Sequence, residues 1–299
     1  MSFSGKVKEE LSKQSVPSRH CQIAELAAII LSAGKMYKDS DGKCRVEIET
    51  ENLLVARKCF TLFRKTFNIN TDVRIRVYQK QKRVKYYSIF VLNEEDAERV
   101  IMAVTGVTVV QKACCRRSFI RGMFLAAGSI SNPEKSYHFE IVCSTLQTAE
   151  QLKEVINSFS AEAKIVLRKK HYIVYIKDGT QIVEMLNIMG AHLALMDLEN
   201  LRIVKEMRNS INRRVNCETA NIGKTVSASV KQVEDIQFLM ERSEFKNLPV
   251  LLREIAEARL DNPDATLVEL GQKLTPAVGK SGVNHRLRKM CEIADRLRG

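Results

Sequence analysis

The chain has 299 residues, carries a formal net charge of +13, and is 45% hydrophobic and 28% charged. That length suits two or three folded units, and the composition excludes a disordered chain. No apolar run reaches the roughly 18 residues of a membrane span. The start MSFSGKVKEELSKQ also lacks the apolar stretch of a signal peptide, so a cytoplasmic location and no membrane partner are expected.

The charge is unevenly held. Residues 1–222 carry 35 Lys and Arg against 24 Asp and Glu, whereas residues 223–299 carry 13 against 11. Such a surplus points to an anionic partner, most often nucleic acid, gripped mainly by the first two thirds. The eight cysteines (Cys21, Cys44, Cys59, Cys114, Cys115, Cys143, Cys217 and Cys291) form no Cys-x-x-Cys pair. This spacing predicts reduced structural thiols, no metal site and no cofactor.

In chain order, residues 1–17 read as an N-terminal helix. CQIAELAAIILSAGKM (21–36) is an apolar helix ending in Ala-Gly, and so is SFIRGMFLAAGSI (118–130). An alternating strand follows each: Cys44, Val46 and Ile48 share one face in the first, Tyr137, Phe139 and Ile141 in the second. A helical stretch comes next in each, 51–67 or 147–159. Then FNINTDVRIR (67–76) lines up with FSAEAKIVLR (159–168), a further strand lies at 86–91 or 172–177, and a closing helix ends at 106–107 or 190–191. The pattern is a tandem repeat, about 18–107 and 115–190, and predicts an α+β fold.

Over residues 18–190 this arrangement resembles the LAGLIDADG homing endonuclease fold. The resemblance implies two signature helices packed at a pseudo-twofold axis, with two antiparallel four-stranded sheets straddling duplex DNA. In that family the last Asp or Glu before the glycine binds the catalytic metal. Here those positions hold Ala33 and Ala127. Cleavage by metal ions needs carboxylate oxygens, and alanine offers none. No enzyme activity is expected. Glu25 precedes the first nine-residue motif by one position and reads as lying on the wrong side of the apolar stripe.

In DVRIRV, Val73, Ile75 and Val77 fall on one strand face, expected to pack under the helices, while Arg74 and Arg76 face outward. Lys80, Lys82, Arg83 and Lys85 follow without an acid. The second repeat answers with Arg168, Lys169 and Lys170, then His171. These residues suit phosphate contact along a duplex. Residues 191–222 read as a helical linker with Leu198, Leu201, Val204 and Ile211 among its apolar positions, and NCETANIGKT (216–225) as its turn-rich end.

Residues 223–299 read as all helix. Helices are predicted over about 225–242 and 249–261, then from an N-cap at Thr266, and finally from a cap at Ser281. The last two form a helix-turn-helix. Lys280, Ser281, Asn284, His285, Arg286, Arg288 and Lys289 lie at the start of the reading helix, where Asn suits adenine and Arg suits guanine. A four-helix bundle for protein contact is the competing reading.

A degenerate endonuclease-like repeat joined to a helix-turn-helix, with the runs SFSGKVKEEL and KSGVNHRLRKM, closely resembles the WhiA family of bacterial proteins. The resemblance covers essentially the whole chain. It implies a non-catalytic, nucleoid-associated transcriptional regulator of double-stranded DNA, acting in sporulation or in cell division and chromosome segregation. Another transcription factor or RNA polymerase are further partners on that reading. A protein-interaction factor in division with secondary DNA binding, and a divergent nuclease, are the alternatives.

Overall fold

The structure, a computed structural model, describes residues 2–79, 83–242 and 244–299, with only the backbone at 78, 79, 83, 84, 107 and 108. Lys80 and Lys82 therefore lie outside the described residues, as does the side chain of Arg83.

Helix α1 (Phe3–Lys13) starts at Ser2, whose hydroxyl accepts a hydrogen bond from the Gly5 amide, and buries Val7 and Leu11. The two apolar helices follow as α2 (Arg19–Ala33) and, in the second repeat, α5 (Ala113–Ala127). Helix α2 is rich in Ala, Leu and Ile and α5 in Ala, Cys and Phe, and both are buried along most of their length, so they form the centre of the unit. Their contact is backbone-close at Gly122. A Cβ there would run into the Glu25 carbonyl oxygen and lie 2.8 Å from Ala28 Cβ. Each helix ends where the chain turns sharply into a strand. A Cβ on Gly34 would sit 2.7 Å from the Ile30 oxygen, and one on Gly128 2.7 Å from Phe124 Cα, so both reversals need glycine.

In the first repeat, β1 (Gly34–Lys38), β2 (Cys44–Thr50), β3 (Asp72–Gln79) and β4 (Arg83–Val91) form an antiparallel sheet of order β1-β2-β4-β3. Helix α3 (Leu53–Phe67) leads from β2 into β3, and α4 (Glu94–Thr105) closes the repeat. The second repeat copies this: β5 (Gly128–Ile130), β6 (Phe139–Cys143), β7 (Lys164–Arg168) and β8 (His171–Ile176) in order β5-β6-β8-β7, with α6 (Leu146–Asn157) and α7 (Gly179–Met189). The registers match as well as the order. Gly34 faces Ile48 and Ile48 faces Ile89, just as Gly128 faces Ile141 and Ile141 faces Val174.

One core joins both repeats. Phe63, Phe124, Phe139, Leu26, Ile48, Ile89 and Ile120 are among its fully buried side chains. Phe124 stacks on Phe139 at 5.4 Å between ring centres. Burying each such side chain is worth about 1.5–3 kcal/mol.

The expectation that Val73, Ile75 and Val77 pack under the helices is not met. They are 48%, 60% and 46% exposed. Their face is the helix-side one, since Val73 pairs with buried Ile89 and Ile75 with half-buried Tyr87. However, β3 is the sheet edge and the helical layer stops short of it. Leu167, on the matching edge strand β7, is likewise 60% exposed.

The chain divides into two compact units, Met1–Val204 and Lys205–Gly299. Helix α8 (His192–Glu241) runs without a break from one into the other, so NCETANIGKT is helix and not the expected turn. In the first unit the α8 N-terminus is capped from α1. The Glu10 carboxylate accepts from the Leu193 amide at 2.8 Å and the Ala194 amide at 3.0 Å, meeting the positive end of the helix with a negative charge.

The second unit packs the end of α8 with α9 (Val250–Asp261), α10 (Leu267–Gln272) and α11 (Lys280–Arg298). Helix α10 starts at the predicted Thr266, in a full capping box with Glu269. Helix α11 starts two residues earlier than the Ser281 cap predicts, with Gly279 at its N-cap. Its C-terminus is tied to α8: Arg298 pairs with buried Asp235 and lies 4.6 Å from the Phe238 ring centre, and Lys231 reaches Asp295 at 3.2 Å.

Candidate nucleic-acid interface

The helix pair presents methyl groups where the endonuclease fold carries acids. Ala33 and Ala127 are half-buried at the C-terminal ends of α2 and α5. A shallow depression there is lined by Lys8, Ser32, Ala33, Glu49, Tyr86 and Ala126. Exposed Lys35 also lines it, and its half-buried basic group is Lys8. Burial lowers that amine to a pKa of about 8, and the amine stands 5.8 Å from the Phe124 ring centre. A lysine at this place puts a positive charge near the end of the helix pair, where neither helix end carries a carboxylate of its own and the acids come from Glu49 and Glu51. The sequence pattern did not mark Lys8, because α1 lies outside the repeat.

The strand registers sort the sheet surfaces. In the first repeat the face away from the helices collects Lys35, Arg45, Glu47, Glu49, Asp72, Arg74 and Arg76, since paired residues share a face. In the second it collects Ser129, Glu140, Lys164, Val166, Arg168 and Tyr175. Arg76 and Arg168 hold equivalent places, each on the edge strand toward the hairpin tip. Arg74, by contrast, corresponds to Val166. The acids Glu47 and Glu140 are also equivalent and lie nearer the sheet centre, where Glu140 accepts from Ser129 at 3.0 Å and contacts His138 Nε2 at 3.1 Å. Positive charge thus lies along the outer faces as well as toward the hairpin ends, where Arg76 and Arg168 stand.

Arg74, Arg76 and Lys85 are exposed, as are Arg168, Lys169 and Lys170. Arg74 lies over the Phe90 ring, 4.9 Å from its centre. Lys169 takes a left-handed φ of 57°, the conformation that a two-residue hairpin turn demands, and so projects with Lys170 from the tip.

In the second unit, α11 buries Val283, Leu287, Met290 and Ala294 at helical spacing. Lys280, Ser281, Asn284, His285, Arg288 and Lys289 are exposed, whereas Arg286 is half-buried at the flank. Arg288 forms an exposed pair with Glu292 at 3.0 Å. Gly271 of α10 is approached closely by the turn and by α11: the Val278 oxygen occupies the Cβ position, a Cβ would lie 3.2 Å from the Val283 side chain, and the Val278 amide donates to the Gly271 oxygen at 2.9 Å. This contact closes the helix-turn-helix and fixes where α11 begins.

Two constellations, one buried and one half-exposed, escaped the sequence reading. Glu25 is fully buried rather than misplaced. Its Oε1 lies 3.2 Å from Lys58 Nζ on α3 and 3.7 Å from Arg121 Nε on α5. Burial pushes the carboxyl up against the pull of both cations, and burial pushes Lys58 down. Lys58 also donates to the Gln14 carbonyl, and Arg121 to the Gln14 side chain. The second constellation brings His20, Cys21, Cys114 and Cys115 together at the opposite end of α2 and α5 from Ala33 and Ala127. No local spacing could have shown either, because their members come from different helices. Among the described residues no helix is long and apolar enough to cross a membrane.

Three regions of the chain match known domain families. Residues 19–107 match the WhiA N-terminal LAGLIDADG-like domain, 116–208 the WhiA LAGLIDADG-like domain, and 211–294 the WhiA C-terminal HTH domain. A relative named probable cell division protein WhiA, from Lachnoclostridium phytofermentans, is 52% identical over the full length of both chains. One of the same name from Alkaliphilus metalliredigens is 44% identical over 100% of this chain and 99% of its own. Among solved structures, full-length DUF199/WhiA from Thermatoga maritima superposes with a TM-score of 0.64 at 27% identity, covering 99% of each chain. A degenerate LAGLIDADG-like double repeat and a helix-turn-helix, each matched by its own domain family, place this chain in the WhiA family.

Proposed function

We propose that the protein binds double-stranded DNA without cutting it and acts as a transcriptional regulator. The observation that carries this reading is α11. One face is locked into the unit by Leu287 and Met290, and the opposite face offers Ser281, Asn284, His285, Arg288 and Lys289 to a groove. Base reading falls to that face, while Lys280 is placed to meet phosphate at the helix start. Arg286 acts at the flank, where its half-buried stem leaves the guanidinium a phosphate rather than a base edge.

The first unit supplies further phosphate contacts from Arg74, Arg76, Lys85, Arg168, Lys169 and Lys170, supported by their exposure and by the equivalence of Arg76 and Arg168. Alanine at both helix ends supports the absence of phosphodiester cleavage. The relatives' name supports a role in cell division; sporulation, chromosome segregation, nucleoid association and a partnership with transcription machinery complete the reading.

A protein-contact role has its own support. Helix α8 exposes Met207 at 60%, Ile211 at 59%, Val215 at 52% and Ile222 at 64%, a row of apolar side chains along one helix.

The test is titration of the protein into genomic fragments at several salt concentrations, with and without magnesium, followed by sequencing of bound DNA. Enriched, uncut sites are expected. Binding without enrichment would favour the protein-contact reading, and magnesium-dependent cuts would overturn the non-catalytic one.

A further inference from the structure

The helix pair carries a second feature, independent of DNA binding. His20 and Cys21 occupy the second and third positions of α2, and Cys114 and Cys115 the second and third positions of α5. Both helices are 15 residues long and end at equivalent glycines, so the two dyads are equivalent under the repeat. Packing of α2 on α5 brings them together. The four ligand atoms all lie within 4.8 Å of one another. His20 Nδ1 is 3.2 Å from Cys115 Sγ and 3.2 Å from Cys21 Sγ.

These distances suit one ion. In a tetrahedral zinc site with sulfur at about 2.3 Å and nitrogen at about 2.0 Å, ligand atoms stand roughly 3.5–3.8 Å apart. The cluster therefore needs only rotamer adjustment of about 1 Å at its widest pair. Three thiols and one imidazole are the soft, closed donor set that structural zinc takes, whereas hard cations prefer oxygen.

The surroundings fit the same ion. Cys21 and Cys115 are buried with Ala24 under Val16 and Val109, which gives the site a dry floor. His20 and Cys114 are exposed and leave a path for entry. Both dyads sit in first helical turns, where the macrodipole favours thiolate. Ser118 hydrogen-bonds the Cys21 sulfur and itself accepts from Arg121 at 3.3 Å, an outer layer that holds a ligand in place.

We propose that His20, Cys21, Cys114 and Cys115 form a zinc-binding site that staples the N-terminal ends of the two central helices. The repeat that has no carboxylates at one end of its helix pair thus holds a metal at the other. The role is structural, because four protein ligands leave no open position for a substrate.

The test uses the full chain, purified under reducing conditions. Zinc content is measured by mass spectrometry of the metal, and the apo protein is then titrated with cobalt. One zinc per chain and the intense absorption of a tetrahedral thiolate–cobalt site are expected. Both should be lost in Cys114→Ser and reduced in His20→Ala, two exposed positions where substitution spares the core. Cys217→Ser, at an exposed cysteine on α8, should change neither. Zinc should also raise the melting temperature of the wild-type apo protein and leave that of Cys114→Ser unchanged. Absence of zinc together with a cobalt spectrum lacking thiolate bands would overturn the proposal. So would a spectrum that Cys114→Ser leaves intact, or a Cys21–Cys114 disulfide that persists under reductant.

Discussion

Replacing Glu25 with glutamine removes one negative charge from a place where two positive ones remain. Glu25 is 0% exposed, Lys58 5% and Arg121 8%, so water cannot take over the lost role. At an effective dielectric constant near 20, a charge pair at the 3.2 Å Glu25–Lys58 separation interacts by about 5 kcal/mol. Breaking a buried pair by removing one partner costs about 3–5 kcal/mol in measured cases. Lys58 has an escape in losing its proton, but doing so at pH 7 costs about 4–5 kcal/mol for an amine whose ordinary pKa is near 10.4. Arg121 has no such escape. Both routes lead to a loss of about 3–5 kcal/mol, a large part of a domain's stability. The chain has no tryptophan, so urea unfolding is best followed by far-UV circular dichroism. The triple change Glu25→Leu, Lys58→Met, Arg121→Leu should recover most of the loss, since removing a whole buried ionic group with retained volume is often neutral. If Glu25→Gln unfolds within about 1 kcal/mol of wild type, the charge network is not what holds α2, α3 and α5 together.

Other outcomes are equally specific. Lys8 titrates near 8 in the free protein, and an approaching phosphate raises that value. Its contribution to DNA binding is then fully present below pH 8 and lost as pH rises through the higher pKa of the bound form. Affinity measured from pH 7 to 10 should fall over that window in wild type and much less in Lys8→Arg; equal profiles would remove Lys8 from the interface. Asn284→Ala with Arg288→Ala should cost about 1–3 kcal/mol per lost base contact on the enriched site and far less on random DNA, compared by competition binding. Lys169→Gln with Lys170→Gln should flatten the salt dependence of binding by about 0.9 per lost phosphate contact, and an unchanged slope would take the hairpin tip out of the footprint. Leu287→Ala, at a fully buried position of α11, should cost about 2–5 kcal/mol and abolish enrichment by loosening the helix that reads.

How far the sequence carried depends on the range of the signal. The helices α2 and α5 were legible because an apolar run fills the second half of each and a glycine stops each of them. The strands β2 and β6 were legible because Val46 and Ile48, or Phe139 and Ile141, alternate with polar neighbours. Strands β1 and β5 were missed. They follow their helices directly with no turn residues between, and β5 is three residues long. Val73, Ile75 and Val77 show that a period of two reports which face a residue takes, not how far the covering helices extend. NCETANIGKT looked like a turn on its Asn, Gly and Thr, yet α8 carries on through it. One exposed Gly223 costs a helix only about 1 kcal/mol, which a 50-residue helix tolerates.

The two ends of the helix pair differ in what the close packing of α2 and α5 demands of them. Close approach of α2 and α5 depends on Gly122 against the Glu25 carbonyl and Ala28, about half-way along each helix. Ala33 and Ala127 sit at the last helical positions, outside that contact. Carboxylates there would stand beside the negative ends of two helix dipoles and beside each other, an arrangement that needs a divalent cation to be tolerated. Alanine removes the need and is the best helix former. At the N-terminal ends the dipoles are reversed, and the residues that gather there are thiols, which as thiolates suit the positive end. The backbone geometry that suits a helix pair to hold ions thus serves at either end, and the side chains at the termini decide where an ion binds and whether it can do chemistry.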